Sequence, residues 1–130
     1  MAQPLIYVDR SDVRQGSIEP LREGVARVVA FIQEREPQLL AYGFHIDEET
    51  LAMSVTAVHP DASSLERHLR IGGPEFQKVG EFITLRSIDV YGELPDDLME
   101  LLHAKARMLG GESGASVAVH PRTVGFSRIP

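Results

Sequence analysis

Hydrophobic and polar positions change period several times along the chain. "LIYVDRSDV", from Leu5 to about Val13, reads as a strand. "RQGS" turns, and Ser17 stands where it can cap a helix. Ile18, Leu21, Val25, Val28, Val29 and Ile32 then recur at helical spacing. Pro20 falls in the first turn, where its missing N–H costs little, and Pro37 stops the helix near Glu34 or Arg35. Gly24 weakens this helix by about 1 kcal/mol relative to alanine, and close packing against a strand is its expected reason.

Leu40, Tyr42, Phe44 and Ile46 alternate, "DEET" turns, and Leu51, Met53, Val55 and Ala57 return, which predicts a β-hairpin ended by Pro60. "PDASSLERHLRIGG" predicts a second helix, capped by Asp61 and stopped by Gly72 and Gly73, with a further helical turn or two in "PEFQKV". "FITLRSIDVYG" alternates as a strand, with Thr84, Arg86, Ile88 and Val90 on one face. "LPDDLMELLHAKARMLGG" carries a stripe of Leu98, Leu101, Leu102 and Leu109 on a third helix. "VAVHPRTVGFSRI" predicts a last strand, interrupted around His120 and Pro121.

The order β-α-β-β-α-β is the ferredoxin-like split βαβ sandwich, an α+β fold, here followed by a C-terminal helix-strand extension. The second and fourth strands read as apolar on both faces. A partner sheet or the C-terminal extension is therefore expected to cover the face away from the helices.

With 130 residues, 43% of them hydrophobic, the chain suits one domain, 1–130, with one core. The formal charge of −6 argues against a broad nucleic-acid surface. No cysteine is present, so neither a disulfide nor a thiolate is available. "MAQPLIYVDR" lacks the basic start and apolar run of a signal peptide, and no apolar stretch nears the ~20 residues of a membrane span. A cytoplasmic location without membrane contact is the expectation. GxGxxG and GxxxxGK[ST] are missing, and "GESGAS" is not a nucleophile elbow. Asp96 and Asp97 are explained by a helix start, so neither a metal nor an organic cofactor is expected.

Three stretches carry a resemblance: "REPQLLAYGFHIDEE" at 35–49, "AVHPDASSLERHL" at 57–69 and "GPEFQKV" at 73–79. They are similar to the antibiotic-biosynthesis monooxygenase family of dimeric α/β barrels, with Glu36, Pro37, Tyr42, Asp61, Leu65, His68 and Phe76 at matching positions. The resemblance covers roughly residues 5–92 and leaves 93–130 as an extension. It implies a homodimer. It also implies functions ranging from cofactor-free oxygenation of aromatic polyketides to haem degradation and isomerisation. Haem-degrading members use an Asn, a Trp and a His, and this chain has neither Trp nor Asn.

Three of the five histidines, His45, His59 and His68, fall within 42–69, but on three different predicted elements and not as HExxH. They are not expected to share a metal. His68 sits about 60° from Leu65 on the helical wheel, leaning toward the sheet. It is the first choice for a general base, its alternative being a structural ring on a backbone carbonyl. Tyr42 and Tyr91 either donate to a ligand or serve the core or an interface. Arg86, amid apolar residues, needs an acid such as Asp9 or a glutamate of a second copy, or else a substrate carboxylate. His59 suits a loop or cap, and His103 is expected in solvent. Two functions follow. One is a small enzyme, with His68, Tyr42 and Arg86 acting on a small aromatic or enolisable substrate. The other is a non-catalytic barrel protein that binds a ligand or serves a structural role.

Overall fold

Strand β1 (Leu5–Val13) alternates without a break: Leu5, Tyr7, Asp9, Ser11 and Val13 are buried, while Ile6, Arg10 and Asp12 face out. It is the middle strand of the molecule. The computed structural model describes residues 3–129. After β1 come α1 (Ile18–Arg35), β2 (Ala41–Asp47), β3 (Ala52–His59) and α2 (Ala62–Val79). A short 3-10 turn leads into β4 (Ile83–Tyr91), followed by α3 (Asp96–Leu109) and β5 (Ser116–His120). The sheet order is β2-β3-β1-β4-β5. The first four strands pair antiparallel and β5 joins β4 parallel, so β4-α3-β5 is a crossover unit. This is the ferredoxin-like sandwich with a helix-strand extension that the order of elements predicts.

The helices pack against one another and cover one sheet face. The core between them holds Leu21, Val28 and Ile32 of α1, Leu65 of α2, and Leu98 and Leu102 of α3. Gly24 serves a helix contact rather than a strand contact. A Cβ there would lie 2.9 Å from Val79 Cγ1 of α2. Ser17 occupies the N-cap of α1, but its side chain makes no capping bond. Asp61 does cap α2, accepting from the Ser64 N–H at 2.9 Å.

Three expectations need correction. The Gly72-Gly73 pair does not stop α2, which runs on to Val79 with Pro74 inside it. Pro74 is exposed, so the carbonyl it leaves without a donor can be reached by water. In β4 the alternation slips: Arg10 pairs with Ser87 and Ser11 with Leu85, a bulge at Arg86. Leu85, Ile88 and Val90 all point inward as a result, and Arg86 does not share their face. The last strand ends at His120 rather than resuming after Pro121.

The outer sheet face is also less apolar than expected. β2 presents His45 and Asp47 there, and β4 presents Thr84, Arg86 and Asp89. The apolar share lies at one end, where Ile6, Val58 and Tyr91 meet residues 121–129 around a groove of about 520 Å³. Phe126 in that segment is 75% exposed.

Cutting the chain after Gly92 removes Leu98 and Leu102, both fully buried, and Lys105, whose ammonium lies on Asp9. Each leucine contributes about 1.5–3 kcal/mol by burial. The truncated chain should melt far below the full chain in a circular-dichroism scan, or not fold. An unchanged melting temperature would make 93–130 a detachable appendage.

Candidate active site between the sheet and the helices

Asp9 and Ser11 occupy inward positions of the middle strand, where apolar residues are the rule. A carboxylate there requires partners. The Tyr7 hydroxyl donates to Asp9 Oδ2 at 2.6 Å. Lys105 Nζ, reaching down from α3, donates to the Tyr7 oxygen at 2.8 Å and to Asp9 Oδ2 at 3.3 Å. The ammonium also lies 4.3 Å from the Phe76 ring centroid and 4.9 Å from that of Tyr7. Burial pushes the Lys105 pKa down, and Asp9 opposes this. Burial, with the Asp9 charge added, pushes Tyr7 well up, so it remains a neutral donor.

Beside this triangle is a cavity of about 20 Å³, lined by Asp9, Ser11, Tyr42, Phe44, Phe76 and Lys105 among others. That is room for one water. Ser11 Oγ is buried with no hydrogen-bond partner.

A second buried group adjoins the first. α1 ends at Arg35 because Pro37 follows, and Glu36 turns its side chain inward. His68 Nδ1 lies 2.9 Å from Glu36 Oε2 and 3.1 Å from Oε1, with both side chains almost wholly buried. The alternative of a ring held by a backbone carbonyl is not what forms. Burial lowers the His68 pKa, outweighing the opposing pull of Glu36, so the ring is neutral at pH 7. With Nδ1–H donated to Glu36, the lone pair is on Nε2. The ring packs against Tyr42 and Phe76, with centroids 5.1 Å away in each case, and against His59 at 5.4 Å. Tyr42 and Phe76 thus touch both the cavity and His68. Burial raises the Tyr42 pKa well above the ordinary phenol value, so it too is a donor.

The structure therefore brings His68 and Tyr42 together and leaves Arg86 apart. Arg86 is exposed on the outer face, its Nε 2.6 Å from Asp12 Oδ2. Asp9, expected as its acid, belongs to Lys105 instead, because the bulge turns Arg86 outward. The three clustered histidines divide. His59 and His68 are neighbours, whereas His45 is exposed and bonded to Thr56 Oγ1 at 3.0 Å. His59 Nδ1 pairs with Ser64 Oγ at 2.7 Å in the first turn of α2. His120 stacks on Tyr91 and pairs with Asp89 on the outer face, and His103 is exposed. Among the described residues no group of three His, Asp or Glu side chains could hold a metal ion.

Sequence reasoning missed Lys105, Ser11 and the role of Glu36. The signal for Lys105 was available: it lies three residues after Leu102 and four before Leu109, on the apolar stripe itself. Ser11 and Asp9 likewise share the inward register of Tyr7 and Val13.

No protein-family model matches the chain, and no curated protein matches it significantly. Solved structures do. MupZ from Pseudomonas fluorescens superimposes with a TM-score of 0.73 at 17% identity, covering 97% of this chain and 95% of that one. SnoaB, a cofactor-independent oxygenase from Streptomyces nogalater, gives 0.60 at 20% identity over 71% of this chain and 94% of its own. A candidate antibiotic biosynthesis monooxygenase from Caulobacter crescentus gives 0.59 at 16% over 68% and 88%. The chain has the antibiotic-biosynthesis-monooxygenase-like fold. The match to MupZ covers so much of the chain that it includes α3 and β5, so the extension is shared with that structure.

Burial lowers the His59 pKa to about 3, with His68 adding to the effect. The folded value lies below the unfolded one of about 6.5. Between those values the unfolded chain binds the extra proton, so stability is full above pH 6.5 and is lost as pH falls toward 3. Each tenfold difference in proton affinity between the folded and unfolded chain is worth about 1.4 kcal/mol. Urea unfolding should show stability falling steadily from pH 6.5 to 4, and His59→Gln should flatten that slope. An equally steep slope in the variant would place the proton elsewhere.

Proposed function

We propose that the protein is a cofactor-independent oxygenase-like enzyme that takes a small aromatic or enolisable substrate between its helices and sheet. The observation that carries this reading is the neutral, buried His68, held at Nδ1 by Glu36 and walled by the two rings that also line the cavity. The fold shared with SnoaB supports it. Nε2 takes a proton from an activated C–H, and the Glu36 carboxylate stabilises the imidazolium that forms. The Tyr42 hydroxyl donates to the enolate oxygen. The carbanion then gives one electron to O₂, the radical pair combines to a peroxide anion, and the His68 imidazolium returns its proton to give the hydroperoxide. Loss of water leaves a carbonyl: one oxygen atom enters the product and the other leaves as water. Arg86, paired on the far face, takes no part in this chemistry.

The site holds space for about one water, so a substrate fits only when rings in its wall such as Tyr42 and Phe76 move aside. That narrowness is also the observation favouring the second reading, a barrel protein without catalysis.

Hydroxylated anthrones and 1,3-diketones, supplied under ¹⁸O₂, should gain one labelled oxygen atom per turnover with EDTA present. His68→Ala should reduce kcat by at least about 100-fold while remaining folded. Equal turnover in the variant would remove His68 from the mechanism. Tight binding with no turnover by the wild type would support the second reading.

We also propose a homodimer formed through the outer sheet face, where Ile6 is 48% and Tyr91 44% exposed beside Phe126. Light scattering at micromolar concentration should give about twice the 14.4 kDa chain mass. A monomer at that concentration would overturn the assignment.

A further inference from the structure

We propose that Ser11 and Lys105 are further catalytic residues of the reaction above, which hold the enolate oxygen of the substrate in the cavity beside Tyr42. This role rests on the oxygenase-like reading and deepens it, by naming what receives the charge when His68 takes the proton.

The cavity of about 20 Å³ has room for one oxygen atom of a substrate but not for an organic ring. Tyr42, which donates to the enolate oxygen in that reading, lines it together with Ser11 and Lys105. An oxygen atom held by Tyr42 in so small a space therefore has Ser11 and Lys105 in the same wall. Both have hydrogen-bonding capacity left over. Ser11 Oγ is buried with no partner, at an inward position of the middle strand where an apolar residue is the rule. Lys105 has three N–H donors and spends two, on the Tyr7 oxygen and Asp9 Oδ2. A water can meet these donors in the free protein, and the substrate oxygen then displaces it.

As His68 Nε2 takes the proton from the C–H, the electron pair left behind moves into the adjoining carbon–carbon bond and onto the carbonyl oxygen. A neutral acceptor becomes an anion at that atom. Hydrogen bonds to an oxyanion beside an ammonium are much stronger than those to a carbonyl oxygen, so these donors act mainly on the charged state. Ser11 and Lys105 keep their protons throughout. The other charged group in the wall, Asp9, is already matched by Tyr7 at 2.6 Å and Lys105 at 3.3 Å. Tyr42 and Phe76 each touch His68 and line the cavity, so the base and the oxyanion donors flank the same two rings. The substrate this arrangement takes has a carbonyl oxygen next to its acidic C–H, unblocked by alkylation.

4-Nitrophenol, whose phenolate is yellow, tests the site apart from turnover. Bound to the wild type it should ionise more readily than in water, its pKa lowered by about 1 unit, a preference of about tenfold for the anion. Ser11→Ala should lose most of that shift and, with an enolisable substrate, lower kcat by about 10-fold or more. Because Ser11 Oγ bonds nothing, the same substitution should leave the melting temperature no lower. Lys105→Met should lose the shift as well. It also deprives Asp9 of its cation, so Ser11→Ala carries the test if that variant does not fold. Unchanged ionisation in Ser11→Ala overturns the role, as does the absence of any shift in the wild type. A shift lost in His68→Ala alone overturns it too, while leaving the base in place. A shift that depends on Ser11, in a protein that turns over no substrate, keeps the anion site and overturns the oxygenase-like reading.

Discussion

A carboxylate on the inner face of the middle strand is the constraint around which the rest of this structure is arranged. Asp9 is almost fully buried, and an unpaired charge in that position would cost several kcal/mol. Neither α1 nor α2 supplies a cation to it. The countercharge comes from Lys105, nearly a hundred residues away on α3. The extension beyond the six-element sandwich is thus tied to the sandwich by charge as well as by its leucines. The Tyr7 hydroxyl completes the triangle, donating to the acid and accepting from the ammonium. Leaving any one of the three unpaired exposes the other two to the desolvation that burial imposes.

The order of elements was legible because apolar spacing is a local property, and each period change falls near a proline, a glycine or a polar run. What local spacing could not show was register. The bulge at Arg86 depends on how β4 meets β1, and it sends Arg86 to the solvent face while Ile88 and Val90 stay inside. Its expected acid therefore went to another partner. In β4 the expectation of two apolar faces failed for the same reason, whereas in the regular strand β2 it failed because His45 and Asp47 are themselves the outward residues. His68 and Tyr42 were legible because helical lean and strand parity depend only on neighbours a few residues away. Lys105 was legible in principle, but a charged residue in an apolar stripe reads as a gap until its partner across the sheet is known.

Two histidines 5.4 Å apart illustrate how the same burial has different results. Both pKa values are driven down by desolvation. His59 faces a hydroxyl, which offers no charge to offset that, and its Nε2 has no partner at all. His68 faces a carboxylate, which returns part of the lost basicity and can stabilise the ring once a proton arrives. Of the two, His68 is the one with a carboxylate in place to stabilise a proton on its ring, which suits it to the base proposed above. His59 is better suited to fixing the first turn of α2 through Ser64.

Phe76 connects the two buried groups, and its position depends on a residue that looked like a helix stop. A Cβ at Gly72 would lie 2.5 Å from Phe76 Cζ, so only glycine lets the ring fold back over the preceding turn of α2. From there the ring meets His68, and the ammonium of Lys105 comes within 4.3 Å. An alanine at 72 would push the ring outward, into the small cavity or away from His68. The helix instead tolerates two glycines and a proline in succession, at a propensity cost of several kcal/mol. The sequence that weakens α2 is therefore the sequence that lets Phe76 touch both an acid-held histidine and an acid-held lysine. Local helix stability has been given up where the ring must sit, and the packing of α2 between α1 and α3 compensates for it.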